Sequence, residues 1–440
     1  MKKTLILLLL FSQIAFTQST NYNQLDSFLD LLYQNDKIMG SMVILKDGKT
    51  VFEKSVGYQY LNENEKKTSS SKTKYRIGSI TKTFTAVMIF QLIDEGKLKL
   101  NTKLFEYFPD VPNSKKIEIA HLLNHSSGLF NITADENFNE QEPTTQERML
   151  SMIAKHDLDF QPGERHEYSN TNFVLLGYAL ERIENKPYGQ VLEERITKPL
   201  SLKNTYYGSE IDITNNESLS YYYEDDNSLH EAKQAHLSNP GGAGGIVSNP
   251  SDLVAFIDSL FNDKLMSKNS FKTMTTIEDE YGSGILSAKK AGLTLFAHNG
   301  GIDFFQSMLV YIPELKTAIA LNTNALNYGM MPIMFNAINA SIGEDIMMPS
   351  FKSIDLSSKE LKKYEGTYEC EELPFKLIFK TNGKILKGAP EGSNLKDLKP
   401  TKKDEFVLEA LGVVLKFDLS TKTVLFNQSG ETQKKCTKKE

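Results

Sequence analysis

Residues Tyr75–Gly96 read YRIGSITKTFTAVMIFQLIDEG. From Phe84 to Ile93 apolar side chains fall on nearly every side of a helical turn, with good helix formers and no proline. The stretch therefore predicts a helix buried in a domain core. Asp94-Glu95-Gly96 ends it, and Gly96 suits the left-handed residue that closes many helices. Ser79 and Lys82 stand three residues apart and share one face of the first turn. A hydroxyl is a weak nucleophile without an adjacent base. A desolvated lysine can be that base, because burial disfavours its charged form. The Ser79 amide falls at a helix N-terminus, where unpaired N–H groups favour negative charge. Nucleophile, base and one oxyanion donor thus fit within four residues. Ser-x-x-Lys alone is equally the pattern of a capping serine beside a solvated lysine; the dense apolar run argues against solvent exposure.

Two further stretches carry polar chemistry. In Gln161-Pro-Gly-Glu-Arg-His-Glu-Tyr168-Ser169-Asn170, Pro162-Gly163 marks a turn, and Tyr168-Ser169-Asn170 precedes the apolar run from Phe173 to Leu180. Read plainly, Asn170 caps a helix and Tyr168 packs. Read functionally, Tyr168 relays protons, its phenol pKa lowered by the Lys82 cation, and Asn170 binds a substrate amide. His298-Asn299-Gly300-Gly301 ends a strand-like run from Leu293. Glycines there allow a ligand to approach the backbone and free an N–H for an oxyanion; the plain alternative is a tight turn beside a half-buried histidine.

In this order, Ser79-Ile-Thr-Lys82, Tyr168-Ser-Asn170 and His298-Asn-Gly300 resemble the three motifs of the penicillin-recognising serine hydrolases, in the branch of class C β-lactamases, D-alanyl-D-alanine carboxypeptidases, D-aminopeptidases and esterases. The resemblance spans roughly Leu25–Ile342. It includes Tyr75-Arg-Ile-Gly78, Asp94-Glu-Gly-Lys-Leu98, His121-Leu-Leu-Asn-His-Ser-Ser-Gly-Leu129, Pro199-Leu200 and Gly241-Gly-Ala-Gly-Gly245. It implies an acyl-enzyme on Ser79, with Lys82 and Tyr168 moving the proton. Asn170, His298, Asn299 and Gly300 would line the substrate, and the Ser79 and Gly301 amides would form the oxyanion hole. No cofactor or metal is implied. His298 replaces the lysine often found at its position, which removes a fixed cation for a substrate carboxylate. A peptidase, amidase or esterase acting on small D-amino-acid substrates is therefore favoured over two alternatives, a class C-like β-lactamase and a penicillin-binding protein that acylates without turnover. By the same resemblance, His121, His125 and Ser126 belong to a structural turn. Gly241–Gly245 has no following Lys-Ser/Thr as a phosphate loop requires, and lines the cleft.

Working outward, Ser41–Leu45 and Thr50–Gly57 flank Asp47-Gly48, a strong hairpin signal. Leu293–His298, Phe304–Ile312 and Thr317–Leu321 read as three later strands. Between them the chain reads as mostly helical, with helices over Ile117–Leu123, Asn172–Asn185 and Ser251–Phe261, the last capped by Ser251. Helices over Asn21–Tyr33 and Met330–Ile342 flank the whole. The expected fold is α+β and β-lactamase/transpeptidase-like, an antiparallel sheet flanked by helices with a large helical insertion. Beyond Asp355 come short strands at Gly366–Cys370, Phe375–Thr381, Phe406–Ala410, Val413–Asp418 and Thr423–Asn427, a small all-β barrel or sandwich. Tyr364-Glu-Gly-Thr-Tyr368 is similar to the lipocalin-like domains appended to these hydrolases. The expected domains are 22–345 and 355–440.

Residues 1–17, MKKTLILLLLFSQIAFT, have the lysine start, short apolar core and small-residue exit of a secretory signal peptide, so the protein is expected to be periplasmic or secreted. No later stretch is apolar enough to span a membrane. The formal charge is −6. Without Lys2 and Lys3 it is −8; from Asp355 onward 17 Lys/Arg stand against 14 Asp/Glu, leaving −11 on residues 18–354. A chain so acidic over its motifs is not expected to bind nucleic acid; its partner is a small molecule or peptide. The two cysteines, Cys370 and Cys436, lie far from Ser79 and are open to pairing or to remaining free.

Overall fold

A computed structural model describes residues 21–439 apart from 63–64, 225–227, 279–280, 291 and 429–432. The signal-peptide reading of residues 1–17 lies outside the described residues. By internal contacts the chain divides into one unit, Ile38–Asn327, and a second that joins the residues before Ile38 to those from Tyr328 onward.

The first unit is built on a six-stranded antiparallel sheet in the order Leu286–Lys290, Leu293–Ile302, Phe305–Ile312, Thr317–Leu326, Ile38–Lys46, Lys49–Val56. The first and last expected strand groups meet in its middle, where Ile38 pairs with Leu326 and Lys46 with Thr317. Both strands are buried almost end to end, as central strands of apolar, β-branched sequence are. The edge strand Leu286–Lys290 was not expected. LSAKK has neither alternation nor β-branched residues, and its lysines suit an edge that must not pair further.

The Tyr75–Gly96 stretch forms an α-helix over Thr81–Asp94, buried from Thr81 to Phe90. It lies against the Asn170–Glu184 and Lys268–Met274 helices, and Phe84 stacks on Phe256 of the Pro250–Phe261 helix. Gly96 closes it at φ +72°, with Gly96 N bonded to Ile93 O and Lys97 N to Leu92 O, the paired bonds of a Schellman end. Its start differs from the expectation: Gly78–Ile80 is a 3-10 turn, so Ser79 lies just ahead of the α-helix. The cap of the Pro250–Phe261 helix also differs. Asn249, not Ser251, accepts from Asp252 N at 2.9 Å, because Pro250 takes the first helical position, where its missing N–H costs nothing.

The insertion is not purely helical. Tyr75–Arg76, Ile246–Ser248 and Tyr206–Tyr207 form a small sheet, and Tyr221–Tyr223 pairs with Leu229–Glu231. Strands of two or three residues carry no readable period. They matter because Arg76 pairs with Val247 and Ile77 N bonds Ile246 O, which brings the glycine-rich 241–245 segment under Ser79.

In the second unit, eight strands from Gly366–Cys370 to Lys434–Lys438 close into an antiparallel barrel. The five expected strands are present. Leu386–Pro390, Lys396–Lys402 and Lys434–Lys438 were missed, since glycine, proline and lysine-rich sequence does not read as strand. Closure removes the edges that such strands would otherwise expose. Tyr368, Phe379, Phe406 and Phe417 fill the interior with edge-to-face contacts. The closing seam joins the first and last strands, where Cys370 lies opposite Cys436 and is bonded to it.

That crosslink ties residues 66 apart in sequence. Replacing both cysteines, Cys370→Ser with Cys436→Ser, should lower the barrel's unfolding free energy by about 2–4 kcal/mol. Urea titration of the double variant against the oxidised full chain, followed by barrel tyrosine fluorescence, checks this.

Candidate active site

Lys82 is fully buried, and its Nζ lies 2.9 Å from Ser79 Oγ, 2.8 Å from Asn170 Oδ1 and 2.9 Å from Ala243 O. Burial pushes its pKa well below the ordinary lysine value; no carboxylate is among its hydrogen-bond partners to offset that loss of hydration. A neutral amine has two N–H donors and one lone pair. Asn170 Oδ1 and Ala243 O can only accept, so they take the two donors. The lone pair is left facing the Ser79 hydroxyl.

Tyr168 stands on the other side of that hydroxyl, with its OH 2.9 Å from Ser79 Oγ. Its ring lies 4.9 Å from Lys82 Nζ. The expectation that Lys82 lowers the phenol pKa is overturned: although the residue is 38% exposed, lost hydration around its hydroxyl pushes it up to about 12. A neutral Lys82 supplies no cation. The resting pattern is therefore Tyr168 O–H to Ser79 O–H to Lys82 Nζ.

Close backbone approach completes the arrangement. A Cβ on Gly300 would sit 1.9 Å from Ile77 O and 2.9 Å from Ser79 N, and one on Gly78 would sit 2.7 Å from Gly301 N. The Leu293–Ile302 strand thus runs directly beside the Ser79 turn, with the Ser79 and Gly301 amides on adjoining backbone. Below, Gly242 meets the Asn170–Glu184 helix at Gly177, where a Cβ on Gly242 would lie 2.8 Å from Phe173 O. Without side chains at that crossing, Ala243 O reaches Lys82 and Gly242 O accepts from Thr85 Oγ1 at 2.6 Å.

The pleat divides the third motif. His298 and Gly300 are buried, whereas Asn299 and Gly301 are exposed, because successive strand residues face opposite sides. His298, expected to face substrate, is 3% exposed with both ring nitrogens engaged. Asn170 is also committed: Oδ1 accepts from Lys82, and Nδ2 donates to Thr133 Oγ1 at 3.0 Å. Its residue remains partly exposed.

The sequence reading missed Tyr281 and underrated His125. His125 is buried at φ +57°, and its Nδ1 accepts from Ser169 N at 3.2 Å, which places the proton on Nε2. His298 Nδ1 lies 2.7 Å from Asn299 O and must donate to it. The Tyr281 hydroxyl lies 3.2 Å from Nε2 of both imidazoles. It accepts from His125 and donates to His298. The chain has one direction, set by a backbone N–H at one end and a backbone C=O at the other, and it ties the second motif to the third. Burial holds His125 well below the usual histidine range and pushes His298 down to about 3. The available signal was Tyr281-Gly-Ser-Gly284, an aromatic residue beside glycines that permit close approach; Gly284 O accepts from Thr83 Oγ1 at 2.8 Å. Among the described residues, no cluster of three or more His, Cys, Asp and Glu is arranged to hold a metal.

The Beta-lactamase family model matches residues 31–337, and the chain belongs to that family. It is similar to Protein flp of Staphylococcus aureus (strain MW2), 27% identical over 334 residues that cover 72% of this chain and 66% of the relative. This chain thus spans just under two thirds of that relative's length. Teichoic acid D-alanine hydrolase of Staphylococcus aureus (strain MRSA252) is 26% identical over 334 residues, 74% of this chain and 80% of the relative. Among solved structures, a D-stereospecific amidohydrolase from Streptomyces sp. superposes with a TM-score of 0.62 at 28% identity, covering 74% of this chain and 98% of its own.

Tyr281→Phe removes both bonds of the buried chain and keeps the ring. Two unpaired imidazole nitrogens should then cost about 1–3 kcal/mol in urea unfolding. In the unaltered protein, ¹⁵N spectra should report Nε2–H on His125 and Nδ1–H on His298, with neither ring charging between about pH 5 and 8.

Proposed function

We propose that this member of the Beta-lactamase family is a serine hydrolase that cleaves small D-aminoacyl amides or esters through an acyl-enzyme on Ser79. The observation that carries the reading is the Lys82 environment, a buried amine whose two donors are taken and whose lone pair faces the nucleophile. Ser79 Oγ attacks the carbonyl carbon as its proton passes to Lys82 Nζ. Charge developing on the carbonyl oxygen is met by the Ser79 and Gly301 amides; loss of one such donor typically costs about 2.7–4 kcal/mol. Collapse expels the leaving amine or alcohol, which departs with the proton taken up by the Lys82–Tyr168 pair, leaving Lys82 neutral and Tyr168 protonated. Water then attacks the ester carbonyl and gives a proton to Lys82 Nζ; collapse breaks the bond to Ser79 Oγ, which takes that proton back as the acid leaves. Asn299 is the substrate-facing side chain of the third motif, and Asn170, partly exposed and bonded to Lys82 and Thr133, offers a substrate amide its remaining Oδ1 lone pair and Nδ2 hydrogen. Gly300 makes room for the strand, and His298 positions it.

The D-aminoacyl preference is supported by the names of two relatives, a D-alanine hydrolase and a D-stereospecific amidohydrolase. A neutral, buried His298 offers no cation to a substrate carboxylate, which favours uncharged amides and esters over lactams. We assign the hydrolase to residues 22–345 and the barrel to 355–440, a division in keeping with the family match over 31–337. Export to the periplasm or medium fits residues 1–17 and the Cys370–Cys436 bond, since disulfides persist in oxidising compartments.

The test incubates the purified chain with D-alanine p-nitroanilide, a fluorophosphonate and a fluorescent penicillin. Turnover and fluorophosphonate labelling are expected, and both should vanish in Ser79→Ala. Stable penicillin labelling without turnover would replace the reading with a penicillin-binding protein; rapid lactam release would make it a lactamase. Only the neutral amine accepts the Ser79 proton, so kcat/KM should fall as pH drops through the lowered Lys82 pKa. Lys82→Arg, charged throughout, should lose about 10²–10⁴-fold and not recover at alkaline pH.

A further inference from the structure

The hairpin that follows Gly301 is closed by two residues. Ile302 pairs with Phe305, and Asp303 and Phe304 between them sit at φ +50° and +63°. Left-handed conformation at both central positions is the type I′ pattern, which favours Asn-Gly and strains a bulky side chain at its second place. Asp303 has a structural reason to be there. Its carboxylate accepts from Arg76 Nη1 at 2.6 Å and from Ala235 N at 2.8 Å, so the tip is tied to the strand leading into Ser79.

Phe304 has no such reason. It is 56% exposed, the most exposed large apolar residue described. Its ring stacks on Tyr222 with centroids 4.8 Å apart and planes at 28°. Tyr222 in turn stacks on His230 at 5.6 Å and 28°, its partner across the paired strands Tyr221–Tyr223 and Leu229–Glu231. The three rings form one shelf. Phe304 stands three positions after Gly301, a reach of about 10 Å at most. A strained backbone that holds an aromatic ring in solvent, at the tip of the hairpin that Gly301 leads into, is a pattern found at binding sites rather than in cores.

We propose that Phe304, Tyr222 and His230 form a side-chain subsite that receives the aromatic or large apolar side chain of the D-aminoacyl substrate. Aromatic groups pack on such faces in offset or edge-on geometry, so the shelf selects D-phenylalanine-like over D-alanine-like substrates. The proposal rests on the acyl-enzyme reading for turnover but not for binding.

The experiment has two arms on the full chain. In the first, kcat/KM is measured for the p-nitroanilides of D-phenylalanine and D-alanine. The unaltered protein should prefer the former, and Phe304→Gly should lower that ratio about tenfold without loss of thermal stability, since glycine suits the turn. Tyr222→Leu should lower it as well. In the second, D-phenylalaninamide and D-alaninamide are titrated into Ser79→Ala, where turnover is absent by design. Tighter binding of the aromatic amide, abolished by Phe304→Gly, supports the shelf. Equal binding of the two amides, or a preference that survives Phe304→Gly, overturns it. No hydrolysis by the unaltered protein, with the binding preference intact, would overturn the acyl-enzyme reading and leave the shelf standing.

Discussion

An amine buried without a counter-ion is the constraint on which this structure turns. Lys82 is fully enclosed, and the low polarisability around it makes the ammonium form expensive. Three oxygens meet its nitrogen, from Ser79, Asn170 and Ala243. Two of them are acceptors only, and that asymmetry gives the site its direction. Tyr168, although partly exposed, also stays protonated because its hydroxyl loses hydration beside Ser79. The pair can therefore exchange one proton across the serine without either holding a stable charge.

Each oxygen reaches Lys82 from a different part of the chain, and glycine is what lets them converge. Gly242 against Gly177 brings in Ala243 O; Gly300 against Ile77 and Gly78 against Gly301 bring the sheet edge beside Ser79. These are backbone-to-backbone approaches that a single methyl would obstruct. Behind the cleft, the His125–Tyr281–His298 chain spans the same gap with hydrogen bonds. Because a backbone N–H and a backbone C=O fix its ends, its protons have one low-energy arrangement. It acts as a strut rather than a conduit.

Much was legible from residues alone. The Tyr75–Gly96 helix and its glycine end, the strands that open and close the sheet, and five of the eight barrel strands follow from period, turn residues and β-branching. Where reading failed, the local signal was absent or ambiguous. Leu286–Lys290 and Lys434–Lys438 are strands because neighbours supply their hydrogen bonds, not because lysine-rich sequence prefers extension. Ser251 was a plausible cap until Pro250 took the first helical position. Tyr281 had no motif to mark it.

What the sequence by itself determined was the set of reactive groups and their order along the chain: Ser79 with Lys82, then Tyr168 with Asn170, then the glycines after His298. Those groups are covalent facts, and in that order they resemble the motifs of the family whose model the chain matches. Protonation and orientation were decided only by tertiary structure. Whether Lys82 is an amine or an ammonium depends on burial by distant segments. Whether Tyr168 ionises depends on how far its hydroxyl is stripped of water. Whether His298 or Asn299 faces the cleft depends on the pleat and on which side of the sheet is covered. Electrostatics and hydrogen bonding are set by neighbours in space, which a linear pattern does not contain.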